Sequence, residues 1–298
     1  MTLKRIRFRD AAEMWESLSK EDHQILSNLL SNEADMAYRR RAMILFDYLE
    51  IKDGDRIIDL GCGMGFYLMA MGRMRDLRRV GYDSDLHRLY QAREQNSTAA
   101  IVSGKLEDLP FEDGYFDQVL LSEVLEHVQD DVHALKQIYR ILKPGGVLAI
   151  SVPHSNYPFL WDPVNRLRTG LGLKPLRTGP LVGIWTNHER LYDPNSLKKS
   201  LEVAGFEVEI LEESTHYCFP LSHFIVYGIG KPLFENNLLP SGMRIAADRF
   251  SAENNRGSFL NPVNLGVAIF RWIDKLNDRP SIAGHETFVN LLAKARKV

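Results

Sequence analysis

The sequence predicts an α/β fold, a mostly parallel sheet with helices on both faces, and three observations carry that prediction. Residues Arg56–Leu60 form a short apolar run that passes straight into a glycine-rich turn and then into a helical stretch. A second short strand, Arg79–Asp83, also ends in an acid, and Asp83 lies 24 residues after Asp59. From there to Leu211, brief apolar runs alternate with amphipathic segments, the pattern of repeated strand–helix units.

The first strand suits burial on both faces of a parallel sheet through Ile57, Ile58 and Leu60. Gly61, Gly63 and Gly65 follow at alternate positions, so the backbone can turn sharply and approach a ligand closely. Good helix formers over Tyr67–Arg75 make this turn the entry to a helix N-terminus, where N–H groups favour polar or anionic ligand groups. A dinucleotide fingerprint would require G-x-G-x-x-G, yet Phe66 stands where its third glycine belongs. Asp59 would also repel a diphosphate, and suits a cationic amino group instead. An acid at the tip of a second strand is where doubly wound folds bind ribose hydroxyls, which makes Asp83, with Ser84 beside it, the ribose candidate.

With 298 residues, the chain holds one large α/β domain or one domain plus an appendage. At 45% hydrophobic and 26% charged residues it reads as an ordinary globular protein. The net charge of −2 argues against non-specific nucleic-acid binding. Only Cys62 and Cys218 are present, too few for a disulfide scaffold, so a reducing, cytoplasmic setting is expected. The basic start Met1–Arg9 lacks an apolar core or cleavage site, and no apolar run reaches the roughly 18 residues of a membrane span.

Residues 10–50 read as helices, with Met14, Trp15, Leu18, Ile25, Leu29 and Leu30 near helical spacing and a second helix over Met36–Leu49. Arg39, Arg40 and Arg41 in that helix read as a solvated face, with a substrate-anion contact as the alternative. Lys52-Asp53-Gly54-Asp55 turns into the first strand. A third strand is expected at Ala99–Val102, a fourth at Phe116–Ser122 and a fifth at Val147–Val152, the last reached from the helix Asp131–Leu142 through Lys143-Pro144-Gly145-Gly146. Asp193-Pro194 starts a helix that runs to Ala204, Gly205 ends it, and Phe206–Leu211 is strand six.

Four segments carry a family resemblance. The D-x-G-x-G-x-G of Asp59–Gly65 resembles motif I of the class I S-adenosylmethionine-dependent methyltransferases. Gly104–Phe111 (G-K-L-E-D-L-P-F) resembles that family's adenine-contacting segment, with Lys105 where an acid is usual. Phe116–Val128 is similar to the F-D-x-V-x-x-x-E-V-L-E-H of small-molecule methyltransferases of the ubiquinone/menaquinone-biosynthesis type, and Leu142–Leu148 to their L-K-P-G-G-V-L. The N/D-P-P-Y/F signature of many DNA and protein-glutamine methyltransferases is lacking.

The resemblance implies a Rossmann-like class I methyltransferase fold, a seven-stranded sheet in the order 3-2-1-4-5-7-6, with S-adenosylmethionine as cofactor. Asp59, Gly61, Gly63 and Gly65 would hold its methionine part, Asp83 and Ser84 its ribose, and the Leu106 backbone its adenine, with Leu109, Pro110 and Phe111 walling the pocket. Ser122 and Glu123 would border the methyl end, and Tyr38 would sit near the substrate mouth. His127 and His154 are the general-base candidates, and His188 a contact or scaffold residue. Glu123, Glu126 and His127 share one helical face if the segment is helical, a spacing able to hold a metal; no metal is assigned.

The implied division is an N-terminal helical cap (1–50), a cofactor-binding core (51–213), an apolar helical insertion (214–286) and a final core strand (287–298), best matched by Thr287–Ala295. The insertion contains two apolar segments, Phe219–Phe234 and Leu265–Leu276, separated by a polar stretch that includes 251–258. A substrate lid, a homodimer interface and a peripheral membrane surface compete for it. The expected activity is methyl transfer to an oxygen, nitrogen or carbon of a small, lipophilic or lipid acceptor. The rivals are a catalytically silent, membrane-attached scaffold and a nicotinamide-dependent oxidoreductase.

Overall fold

The computed structural model describes residues 18–179, 181–250 and 261–298. The expectations for Met1–Arg9, Met14, Trp15 and 251–258 lie outside the described residues.

Helices α1 (Lys20–Leu29) and α2 (Met36–Tyr48) start at Ser19 and Asp35, whose side chains accept from the N–H groups of the first turn. Then come β1 (Arg56–Leu60), α3 (Phe66–Met74), β2 (Arg78–Asp83), α4 (Leu86–Gln95), β3 (Ala100–Ser103), β4 (Phe116–Ser122) and α5 (Asp131–Ile141). Strand β5 (Leu142–Pro153) leads through α6 (Pro163–Gly170) to α7 (Pro194–Ala204), which opens with a capping box at Asp193 and closes on left-handed Gly205. Strand β6 (Phe206–Ser214) precedes the insertion, and β7 (Asn290–Lys297) ends the chain.

The sheet order is β3-β2-β1-β4-β5-β7-β6, as expected. The first five strands pair in parallel, and β7 runs antiparallel between β5 and β6. Register aligns Leu60 with Tyr82 and Leu121, so the carboxyl ends of β1, β2 and β4 open onto one edge. Burial alternates with the strand period: Ile57 joins Phe46, Met71 and Leu120 on one face, while Ile58 and Leu60 join Leu121, Leu135 and Leu201 on the other. Both faces are covered, and the loops at the carboxyl edge remain to bind.

The insertion contains a π-helical turn (Phe224–Gly230), α8 (Lys231–Glu235), α9 (Ser241–Ala247) and α10 (Pro262–Asp274). It is tied to α2 and to the connection between α1 and α2 by charge and by hydrogen bonds. Arg40 pairs with Asp274 and, at 2.8 Å, with Asp278; Arg249 pairs with Glu33 at 2.6 Å; and the Tyr227 hydroxyl donates to Asp35 at 2.6 Å. The expected solvated arginine face is therefore corrected: Arg40 anchors the insertion, and Arg41 is buried. Among the described residues, no helix is long and apolar enough to cross a membrane.

Candidate active site

The glycine loop has the geometry that its composition requires. Gly61, Gly63 and Gly65 all have positive φ, at 76°, 51° and 82°. A Cβ on Gly61 would meet the Val124 side chain at 2.2 Å, so this glycine lets the loop close against the segment after β4. Around Gly63 nothing lies within 4 Å of a notional Cβ, so that side of the loop is free for a ligand to approach.

Asp59 is 1% exposed, and its Oδ2 has no hydrogen-bond partner among the described residues. Burial, with the nearby Asp83 adding to it, pushes its carboxyl up to about 8. A buried acceptor without a donor calls for a cationic or N–H-bearing group. Asp83 accepts from the Gly63 N–H at 2.8 Å and from the Asp85 N–H at 2.9 Å, and a carboxylate retains further acceptor sites. Ser84 lies in the bend before Asp85, which caps α4. The Leu106 side chain is buried in the core. Leu109 is buried, and Phe111 packs edge-on against Tyr82 and Phe116.

At the end of β4, Ser122 shares hydrogen bonds with the Tyr67 hydroxyl (3.1 Å) and Ser151 Oγ (3.3 Å). Ser151 donates to Glu123 at 3.0 Å, and Glu123 faces Arg41 at 3.5 Å. Arg41 reaches Asn290 of β7 at 3.5 Å, and the Asn290 amide donates to the Ala37 carbonyl. This polar file links α2, α3, β4, β5 and β7 behind the glycine loop. Tyr38, Phe66 and Tyr67 pack over it with ring centroids 5.9 Å apart, and Arg41 and Arg249 lie against the Tyr38 ring. Sequence reasoning passed over Tyr67, Ser151 and Asn290, because nothing local marks them.

The helical reading of Glu123–His127 is corrected. Glu123 has φ 56°, outside the helical region, and only Leu125–His127 form a single 3₁₀ turn. The shared face is lost. Glu123 turns to Ser151 and Arg41, while Glu126 and His127 meet His188 from the connection between α6 and α7. Burial, with Glu123 next, holds the Glu126 carboxyl well above the carboxylate range, and burial beside His127 pushes His188 down to about 3. His127 is 41% exposed at its side chain, with Nδ1 at 2.9 Å from the Asn187 carbonyl. His154, by contrast, has both nitrogens engaged: Nδ1 accepts from the Asn156 N–H at 2.8 Å and Nε2 donates to Glu213 at 3.1 Å.

A glycine loop fronted by a buried acid, a second acid at the tip of β2, and a polar file at the end of β4 lie together at the carboxyl edge of the sheet. Residues 58–150 match the sequence profile of the family described as Methyltransferase domain. The chain is 30% identical over 127 residues to a demethylmenaquinone methyltransferase of Staphylococcus carnosus, covering 41% of this chain and 52% of that protein. It is 28% identical over 179 residues to a protein of Mycolicibacterium smegmatis named as an S-adenosylmethionine-dependent methyltransferase, covering 59% and 62%. The chain spans about half the length of the curated relatives it matches. A Haloferax volcanii methyltransferase, solved with a methyltransferase activator, shares the fold at a TM-score of 0.51 and 17% identity, covering 97% of this chain and 98% of that one. Residues 58–150 therefore match a methyltransferase domain, set in a sheet whose fold a solved methyltransferase shares.

Proposed function

We propose that the protein transfers the methyl group of S-adenosylmethionine to a small, lipophilic acceptor. The observation that carries this reading is the buried Asp59 Oδ2, without a hydrogen-bond partner among the described residues, at the end of the strand that leads into a glycine loop open around Gly63. Asp59 would take the cofactor's amino group, Asp83 its ribose hydroxyls and the Leu106 N–H its adenine edge. Ser122 would lie near the sulfonium methyl. That methyl is already activated, so holding donor and nucleophile in line supplies most of the acceleration. A base is needed only for a hydroxyl or carbon acid. In the metal-free protein, His127 Nε2 is the group to receive that proton. With both nitrogens engaged, His154 serves better as a brace for β5 than as a base.

The lipophilic acceptor is supported by the aromatic layer of Tyr38, Phe66 and Tyr67 under the insertion, and by exposed Ile229, Leu238 and Trp272 on the insertion itself. Those exposed side chains also make 214–286 the segment to test for peripheral membrane contact or homodimerisation. Isothermal titration is the direct test of the function. S-adenosylmethionine and S-adenosylhomocysteine should bind one-to-one, and Asp59→Ala should weaken the former about 10- to 100-fold. No heat at millimolar donor would end the proposal, and binding of NAD(H) in its place would favour the oxidoreductase.

A further inference from the structure

The segment after β4 and the connection between α6 and α7 meet beside His127, where Glu126 and His188 take no part in the methyl-transfer reading. Glu126 is completely buried, yet neither carboxylate oxygen has a hydrogen-bond partner among the described residues. Two imidazoles face it without bonding to it: His188 Nε2 lies 3.8 Å and His127 Nε2 3.9 Å from Glu126 Oε1. One ligand atom from each of the three residues lies within 4.8 Å of the other two.

We propose that Glu126, His127 and His188 form a binding site for one divalent transition-metal ion of the zinc type. Two imidazole nitrogens and one carboxylate oxygen are the donor set of open zinc and non-haem iron sites, with positions left for water or a ligand. The tautomer is already set for this. The Asn187 carbonyl can only accept, so His127 Nδ1 carries the proton and the lone pair is on Nε2, towards Glu126. Asn187 takes up φ 58° to present that carbonyl, a conformation a non-glycine residue rarely adopts.

Spacing agrees as well. Ligand atoms about 2.1 Å from one tetrahedral ion lie about 3.4 Å apart, so the two gaps to Glu126 Oε1, at 3.8 and 3.9 Å, need close by about half an ångström, and no pair in the set, all within 4.8 Å, by more than about 1.4 Å. The frame is independently fastened. The Glu189 N–H donates to the Glu126 carbonyl at 2.8 Å, Arg177 donates to the His188 carbonyl at 2.7 Å, and Arg190 donates to the Val128 carbonyl at 2.6 Å. Glu123, the third ligand of the helical reading, is engaged by Arg41 and Ser151, and His188 stands in its place. The half-exposed His127 gives an ion its way in. With the ion bound, His127 Nε2 is a ligand and is no longer free to act as a base.

The test uses the untagged full chain, stripped with dipicolinate and then titrated with Zn²⁺, Mg²⁺ and, as a spectroscopic probe, Co²⁺. The expected result is one Zn²⁺ or Co²⁺ per chain, a visible Co²⁺ band, weak or no Mg²⁺ binding, and Zn²⁺ protection of His127 and His188 from diethylpyrocarbonate. Glu126→Gln and His188→Ala should each weaken Co²⁺ binding at least about tenfold, with the circular dichroism and donor binding of the wild type. Donor binding reports on the cofactor loop, so its loss would speak against the methyl-transfer reading and not against the metal. Wild-type protein that gives no Co²⁺ band and no histidine protection at millimolar metal would overturn the proposal. So would an unchanged Co²⁺ spectrum and affinity in the folded Glu126→Gln/His188→Ala variant.

Discussion

The carboxylate of Asp83 accepts a 2.8 Å hydrogen bond from the Gly63 N–H, which fastens the tip of β2 to the crown of the glycine loop. One side chain thus shapes the loop and, in our reading, meets the ribose. Asp83→Ala should remove both effects at once. Donor affinity should fall about 10- to 100-fold by titration calorimetry, as for a lost charge-assisted hydrogen bond. Thermal stability should fall by only about 1 kcal/mol, because the loop stays anchored by the Gly61 and Cys62 N–H groups on the Tyr82 carbonyl.

Gly63 separates backbone conformation from ligand contact. At φ 51°, with open space around its missing Cβ, Gly63→Ala costs the folded protein about 1–2 kcal/mol of backbone strain and creates no clash with protein atoms. In our reading the added methyl enters the space proposed for the donor. Donor affinity should therefore fall further than calorimetric stability, and an equal fall in both would place the ligand elsewhere.

What was legible in the sequence was local. Asp59, the glycines and Asp83 lie within single turns whose chemistry depends on neighbours in the chain, and the alternation of strand and helix marked the α/β class, while the sheet order followed from the family resemblance. What failed depended on tertiary partners. Arg41 reads as one of three arginines on a surface helix, but it is buried by Asn290, 249 positions away. Glu123 reads as helical until the bond of its N–H to the Ser151 carbonyl and its φ of 56° take it out of register. His188 carries no local sign that it faces Glu126.

Asp59 should give stability a pH dependence of known sign. Folding raises this carboxyl from 3.8 to about 8, so between those values the native state binds more protons than the unfolded chain. Stability should therefore fall as pH rises from about 4 towards about 8, and level off above that. Asp59→Asn should flatten the curve in thermal melts across this window. Donor affinity should move the other way in the wild type and strengthen as pH approaches about 8, because the ionised carboxylate is the form that attracts an amino group. A variant with the wild-type slope would show that other groups carry the titration.

The Arg41–Glu123 pair tests the polar file. Its side chains are 11% and 22% exposed and 3.5 Å apart, so it is neither a surface bridge nor a tightly bonded buried one. Arg41→Ala leaves Glu123 with Ser151 alone and should cost about 1–3 kcal/mol in chemical denaturation. Arg41→Ala/Glu123→Gln should recover part of that loss, because neither charge is then left without its partner. No recovery in the double variant would mean that Arg41 acts through Asn290 and Tyr38.

The insertion is held to α2 by directional polar contacts, which makes its attachment separable from the sheet. Arg40 bonds both to Asp274 and to Asp278, and Tyr227 donates to Asp35, the residue that also caps α2. Arg40→Ala removes the α10 clamp and leaves Asp274, 4% exposed, beside only Asn277 and the Arg39 charge. The expected effect is local, about 1–3 kcal/mol in the opening of 224–250 and 261–278, read as faster amide exchange there with β1, β4 and β5 unchanged. Tyr227→Phe should do the same on a smaller scale, about 1 kcal/mol, because it removes one donor from a carboxylate that still caps two N–H groups. If the insertion is a lid over a lipophilic acceptor, both variants should raise the acceptor KM more than they lower kcat, with donor affinity unchanged. Faster exchange throughout the sheet would instead make the insertion part of the core's cooperative unit.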